Sequence, residues 1–219
     1  TVFKMATNGS GYTVLKNFTY YDGASPYSSL LLDGDTLYGT TRFGGSNYGV
    51  GTVFRLNTNG ANFSVLRHLE YYGDGAYPIA GLTLSGGTLF GAATDGGASY
   101  LGTIFKLGTN GAGFTMLKNF TDTDGKYPYA TPTVIGDKVY GTTMYGGSSS
   151  GGVLFQMDTN GSGYSVLRHF IYASGSSPGS ALVSAGSALY GTTLIGGTSS
   201  GGVVFRIQTD RTGYTALQN

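Results

Sequence analysis

The side chains in this chain best suited to proton transfer or metal ligation near neutral pH are its two histidines, His68 and His169. They occupy equivalent places in alternate copies of an internal repeat, with Asn17 and Asn119 in the same slot of the other copies. Each follows a cation, as Lys16-Asn17, Arg67-His68, Lys118-Asn119 and Arg168-His169. Catalysis or metal binding would need carboxylates converging on each imidazole, yet a whole unit separates the two. The alternation reads instead as a duplicated two-repeat block whose His and Asn pack on a strand. Asp122-x-Asp124-Gly125 opens like a calcium loop, because alternating acids ahead of a glycine offer oxygens to a hard cation. Lys126 then interrupts the ligand run, and the equivalent Asp22-Gly23, Asp74-Gly75 and Ser174-Gly175 read as turns. Three stretches match G-x-S-x-G: Gly147–Gly151, Gly175–Gly179 and Gly197–Gly201. A nucleophile elbow needs a strand, a sharp turn and a helix, whereas these lie in Gly/Ser loops with no helical pattern after them. Cysteine is absent, which removes disulfides and thiolate chemistry. No metal, no cofactor and no catalytic group is expected.

The remaining candidates are aromatic. Tyrosine offers a flat apolar face to a sugar ring or a protein surface and keeps a hydroxyl for hydrogen bonding. Among the 18 tyrosines, Tyr20, Tyr21, Tyr71, Tyr72 and Tyr172 fall in one set of loops, and Tyr145, with Arg42 and Asp95, in another. These eight residues form the candidate ligand-binding face. Tyr27, Tyr77, Tyr127 and Tyr129 stand beside prolines of the first loop set. The competing reading gives many of these rings the job of plugging gaps between glycine-rich layers.

The elements that position these loops follow from the repeat. Thr1-Val-Phe-Lys-Met5, Thr52-Val-Phe-Arg-Leu56, Thr103-Ile-Phe-Lys-Leu107, Val153-Leu-Phe-Gln-Met157 and Val203-Val-Phe-Arg-Ile207 are copies, anchored on Phe3, Phe54, Phe105, Phe155 and Phe205 at spacings of 51, 51, 50 and 50. Residues 1–50, 51–101, 102–151 and 152–201 are full units and 202–219 a partial one, all in one repeat domain. In the first complete set, Ser28–Leu32 is strand a, Thr36–Thr41 strand b, Thr52–Leu56 strand c and Phe63–Leu69 strand d. Asp33-Gly34-Asp35 turns a into b and Thr58-Asn59-Gly60 turns c into d, using the positive φ that hairpins need. The b–c loops carry Gly44-Gly45, Gly96-Gly97, Gly146-Gly147 and Gly196-Gly197, and the d–a loops end near Pro26, Pro78, Pro128 and Pro178. No stretch sustains a helical period, so essentially no helix is expected. Repeated four-stranded antiparallel units with apolar residues on both strand faces predict an all-β fold, a β-propeller of about 50-residue blades. The count is four full units plus a half unit: five c–d hairpins but four a–b hairpins.

Composition agrees. Charged residues are 11% of 219, glycines number 40 and formal net charge is +1. No field or basic groove would draw in nucleic acid, and no apolar run approaches the ~20 residues of a membrane helix. A surface of Ser, Thr, Asn, Gly and Tyr points to a secreted or cell-surface protein. The chain starts at Thr1 without a leader, as expected of a processed form or a piece of something longer.

The pattern L-Y-G-T-T-x-x-G-G-x-x-x-x-G-T-V-F-K-L resembles the GloVer tandem repeat of bacterial surface and secreted proteins. It stands at Leu37–Thr41 with Gly44-Gly45 and Gly51–Leu56, and recurs at Val139–Thr143 and Leu189–Thr193; Phe90-Gly91-Ala92-Ala93 departs from it. The resemblance implies a secreted bacterial repeat protein without an assigned activity. A looser likeness is to Kelch propellers, which also place Gly-Gly after strand b but lead strand d with tryptophan; Tyr12, Phe63, Phe114, Tyr164 and Tyr214 fill that place here. The expected function is a non-catalytic extracellular module binding glycan or protein through its tyrosine face. The alternative is a structural surface protein whose partners are other copies of itself, joined through the half blade.

Overall fold

The computed structural model describes residues 1–46 and 48–218. Asn219, the end of the partial unit, lies outside them, as does Asn47; no candidate site residue does. Two strands, β1 (Val2–Lys4) and β2 (Thr13–Lys16), form an isolated hairpin, the half blade. Four complete four-stranded sheets follow. Blade 1 is β3 (Leu31–Asp33), β4 (Thr36–Thr41), β5 (Thr52–Asn57) and β6 (Ser64–His68). Blade 2 is β7 (Thr83–Ser85), β8 (Thr88–Ala93), β9 (Thr103–Gly108) and β10 (Thr115–Asn119). Blade 3 is β11 (Thr133–Ile135), β12 (Lys138–Thr143), β13 (Val153–Asp158) and β14 (Ser165–His169). Blade 4 is β15 (Val183–Ala185), β16 (Ala188–Thr193), β17 (Val203–Gln208) and β18 (Thr215–Gln218). Every pairing is antiparallel in a–b–c–d order, and no strand pairing closes a ring among the described residues.

Two details differ from the sequence reading. Strand a of blade 1 begins at Leu31 rather than Ser28, because Ser28 bonds sideways to the Thr40 hydroxyl at 3.0 Å instead of joining the ladder. Two single 3₁₀ turns, Asp122–Asp124 and Tyr172–Ser174, interrupt the d–a loops. In the c–d turn of blade 1, Gly60 takes positive φ (87°), as does Asn62 (56°), while Asn59 closes the turn by accepting the Ala61 N–H on Oδ1 at 2.9 Å.

The blades lock through a phenylalanine laid over a glycine. In each sheet the c-strand Phe pairs across the ladder with the b-strand Gly: Gly39 with Phe54, Gly91 with Phe105, Gly141 with Phe155 and Gly191 with Phe205. A Cβ at any of these glycines would sit 2.5–2.6 Å from the ring, so the glycine is there for space; its φ is ordinary. The four rings are fully buried, each against the preceding layer. The strand's other face sends Val53, Ile104 and Leu154 into the following blade. Burying each such side chain contributes about 2–3 kcal/mol.

A second link joins the outer rims. Each d-strand cation stacks on an aromatic ring of the next layer: Lys16 on Phe63 (4.0 Å), Arg67 on Phe114 (4.5 Å), Lys118 on Tyr164 (4.3 Å) and Arg168 on Tyr214 (3.4 Å). The same cations reach the d–a loop, where Asp22, Asp74 and Asp124 pair with Lys16, Arg67 and Lys118. In the last unit Ser174 replaces the aspartate and takes one bond from Arg168 Nη2, leaving Arg168 Nε without a partner.

His and Asn share their slot because both present an acceptor at the same point. Ser46 and Ser148 donate their N–H to Nδ1 of His68 and His169, each at 3.1 Å; Ala98 donates to Asn119 Oδ1 at 2.8 Å. The imidazole holds the b–c loop against the d strand, and the bond assigns an unprotonated Nδ1.

Two substitutions test these locks by denaturant unfolding. Gly141→Ala lowers stability by about 2 kcal/mol through overpacking against Phe155, where an exposed strand glycine would gain from the same change. His68→Asn leaves stability within about 0.5 kcal/mol, whereas His68→Leu removes the acceptor of an exposed loop bond and costs about 0.5–1 kcal/mol.

Candidate functional site

The d–a and b–c loops emerge together on one face. Short bridges tie them pairwise: Ala24 to Phe43, Ala76 to Asp95, Lys126 to Tyr145 and Ser176 to Ile195. The glycine pair permits this approach. Gly44 and Gly45 both take positive φ, and a Cβ on Gly44 would lie 2.5 Å from the Tyr20 carbonyl oxygen. Gly45, Gly97, Gly147 and Gly197 donate their N–H to the carbonyls of Tyr20, Tyr71, Asp122 and Tyr172.

The residue before each loop proline is held in the left-handed region: Ser25 (53°), Tyr77 (55°), Tyr127 (57°) and Ser177 (58°). That conformation is costly for a non-glycine residue ahead of proline. At three of the four places it accompanies a backbone bond across the blade joint, from Tyr77 N–H to the Val50 carbonyl, Tyr127 N–H to the Leu101 carbonyl and Ser177 N–H to the Gly151 carbonyl, each 2.8 Å. All four joints share the strain, so it is architectural. Where the strained residue is tyrosine, its ring packs on a b–c loop aromatic, Tyr77 across the joint on Phe43 at 5.4 Å and Tyr127 within its own unit on Tyr145 at 6.3 Å.

The a strands lie at the inner rim, where blades converge: Thr83 bonds the Pro132 carbonyl and Thr133 the Leu182 carbonyl of the next blade. Above the joint between blades 1 and 2 opens a pocket of about 210 Å³. Its walls are Tyr27, Tyr77 and Tyr129 with Ile79, and its polar groups are Arg42, Thr94 and Asp95. Arg42 stacks on Phe43 at 4.9 Å. Neither Arg42 nor Asp95 takes an ion-pair partner among the described residues. Burial raises the Asp95 pKa against the lowering influence of Arg42, and raises the Tyr129 hydroxyl with help from the Asp95 charge. Thr94 is buried and its hydroxyl has no partner within the protein. Uncommitted donors and acceptors of both signs, walled by aromatic faces, can hold a ring bearing hydroxyl groups. The equivalent joint between blades 3 and 4 has a cavity of about 480 Å³ lined by Met144, Gly179 and Leu194, without charge.

Of the eight sequence candidates, Arg42 and Asp95 meet in this pocket. Tyr145 lies beside it, half exposed against Tyr127. Tyr71 and Tyr72 belong to a separate cluster, 5.4 Å apart, with Tyr100 within 6.1 Å of both and Tyr48 beside them. Tyr20 lies over Gly49, and Tyr21 and Tyr172 stand exposed on the rim. The structure therefore brings five of the eight to two places and leaves three on the periphery. Thr94 was missed in the sequence; its only signal is that it stands where Arg42, Met144 and Leu194 stand in the other units. The acids of the calcium-like loop are engaged elsewhere, Asp124 by Lys118 and Asp122 by Lys126 at 2.6 Å. Among the described residues no three His, Asp or Glu side chains gather to hold a metal.

The fold compares with β-propeller proteins of known structure. The nidogen of a nidogen/laminin complex matches with a TM-score of 0.59 at 14% identity, covering 84% of this chain and 61% of that one. TolB from Acinetobacter baumannii matches at 0.58 and 15% identity, over 95% and 45%. The Niastella koreensis GH74 enzyme matches at 0.58 and 16%, over 84% and 28%. The chain thus spans less than two thirds of each, and at these identities the likeness establishes architecture alone. Among curated proteins none matches the sequence. No helix is long and apolar enough to cross a membrane among the described residues. The family model of the Gloeobacter/Verrucomicrobia repeat matches residues 1–138, well over half the sequence, and agrees with the pattern of strands and glycine pairs seen here. This chain is a member of the Gloeobacter/Verrucomicrobia repeat family.

Proposed function

We propose that this chain is a non-catalytic, extracellular recognition module that binds neutral glycan on its loop face, with the pocket between Arg42, Asp95 and the tyrosine walls as its centre. The observation that carries this reading is the set of unspent polar groups: Arg42 and Asp95 face one cavity without an ion-pair partner, beside an orphan Thr94 hydroxyl and the rings of Tyr77 and Tyr129. A pocket of about 210 Å³ suits one sugar ring better than a protein side. A longer glycan would extend over Tyr145 towards the Tyr71–Tyr72 cluster, with Tyr20, Tyr21 and Tyr172 as outlying contacts. Low charge and a Ser/Thr/Asn/Tyr surface support a secreted or surface location.

A second reading, self-association into a surface array, draws on the two ends. Phe3 and Met5 are exposed on the half blade, while Val183, Val204 and Leu217 are exposed on blade 4. Their counterparts at internal joints pack against one another, which supports contact between copies. Light scattering on the isolated chain separates the readings: mass that grows with concentration supports the array, and a constant monomer mass removes it.

Calorimetric titration with neutral oligosaccharides tests the first reading. Arg42→Ala and Asp95→Asn each weaken binding at least tenfold, about 1.4 kcal/mol; unchanged affinity in both would overturn it. Asp95→Asn also has a signed stability effect. The folded-state pKa of Asp95 lies above its unfolded value, so its carboxylate costs stability once pH rises above about 4. The variant therefore melts higher than the parent at pH 7 and level with it at pH 3.

A further inference from the structure

The anchor spacings of 51, 51, 50 and 50 contain two single-residue insertions, and both fall at one place. The b–c loop of blade 1 takes one more residue between Gly44 and Gly51 than its counterparts Gly96–Gly102, Gly146–Gly152 and Gly196–Gly202. The d–a loop leading into blade 2 takes one more between Leu69 and Gly75 than Phe18–Gly23, Phe120–Gly125 and Phe170–Gly175. The other joints close without either residue, so the fold does not require them. The lengthened loops present Tyr48 and the run Glu70-Tyr71-Tyr72-Gly73. The b–c loop of blade 2 adds Tyr100 where blades 3 and 4 hold Ser150 and Ser200, all three with φ between 55° and 60°. Tyr71 is anchored from below, packed on the buried Val50, Leu69 and Ala76. Tyr72 stands against it at 5.4 Å with the ring planes 74° apart, and Tyr100 braces both at 6.1 and 5.8 Å. Tyr48 joins Tyr71 and Tyr72 around a recess of about 340 Å³, and the same three rings with Glu70 and Gly73 line another of about 290 Å³. Tyr48 and Tyr72 are exposed, so the site opens to solvent.

We propose that this tyrosine recess binds the trimethylammonium group of a small choline-type solute. Ring faces that meet at an angle attract a cation from more than one side. At the outer rim the chain's own cations take such faces, stacking on Phe63, Phe114, Tyr164 and Tyr214. Among the described residues no lysine or arginine stacks on Tyr48, Tyr71, Tyr72 or Tyr100. The local field has the right sign. Glu70 brings a carboxylate to the lining, while the Arg67 guanidinium is committed to Asp74 by bonds of 2.7 and 2.8 Å. Burial first, and then the charge of Asp95, hold the Tyr71 phenol above its ordinary pKa. The lining offers Glu70 and the tyrosine hydroxyls as its polar side chains. A primary ammonium would bring three N–H donors in need of acceptors, whereas a quaternary one brings none and lays its methyl groups on the rings. The site stands independently of the glycan reading, because Tyr48, Glu70 and Tyr72 line no part of the pocket of Arg42 and Asp95.

The test is an NMR titration of the tyrosine-labelled chain with choline, run beside its neutral isostere, in which a tert-butyl group replaces trimethylammonium. Choline shifts Tyr48, Tyr71, Tyr72 and Tyr100 saturably and leaves Tyr27 and Tyr129 still, and the isostere binds about tenfold more weakly. Y72L lowers choline affinity about tenfold, Y72F holds it within about twofold, and E70Q weakens it about threefold. Both side chains are exposed, so these variants keep the parent's unfolding midpoint. Equal binding of choline and the isostere, the lack of a saturable shift, or an affinity unmoved by both Y72L and E70Q would overturn the proposal. Capture on phosphatidylcholine vesicles without a response to free choline would assign the rings to a membrane surface and overturn it as well.

Discussion

Everything in this molecule rests on an aromatic ring lying across a glycine on the neighbouring strand. Phe54, Phe105, Phe155 and Phe205 each fill the space that a missing Cβ leaves at Gly39, Gly91, Gly141 and Gly191. This sets the b–c register, because a slip of one residue would drive the ring into a side chain and turn the apolar face to solvent. It also lets large rings pack between sheets made of short strands. Each ring is sealed by the preceding layer, so stability passes from blade to blade as nearest-neighbour contacts, as in other repeat architectures. The cation, ring and carboxylate links at the outer rim repeat the same logic.

The proposed function draws on departures from the repeat. The scaffold positions are nearly the same in every unit, while the loop positions equivalent to Arg42 hold Thr94, Met144 and Leu194, and those equivalent to Phe43 hold Asp95, Tyr145 and Ile195. At these two positions charge enters as Arg42 and Asp95, which meet between blades 1 and 2, with Tyr129 arriving from the next loop. The joint between blades 3 and 4 has the same frame, and its roomier, uncharged lining shows how much of the pocket's character comes from these few side chains.

Strand b of blade 1 was legible to the residue and strand c to within one residue, because glycine pairs, Asn-Gly turns and the recurring Phe mark their ends. The unequal hairpin count, and hence the half blade, followed from the same copies. The start of strand a was misplaced by three residues, since Ser28–Leu30 look extended in sequence but lie outside the ladder, with the Ser28 hydroxyl on that of Thr40. Arg42 and Asp95 were found as charged residues in loops of a low-charge chain, but their meeting depends on inter-blade geometry that spacing along one chain does not encode. The left-handed tyrosines before proline contradict local preference and exist because backbone bonds from the adjacent blade compel them. The shared role of His68 and Asn119 is likewise invisible until the acceptor atoms are seen at one point.

The central claim is that recognition occurs at the joint between blades 1 and 2 and not across the exposed tyrosine rim. It is tested most directly by an NMR titration of the tyrosine-labelled chain with neutral oligosaccharides. The account predicts that the resonances of Tyr77, Tyr129 and Tyr27 shift first and most, with Tyr21 and Tyr172 nearly still. Shifts confined to Tyr21 and Tyr172, or no shift at any tyrosine, would contradict it.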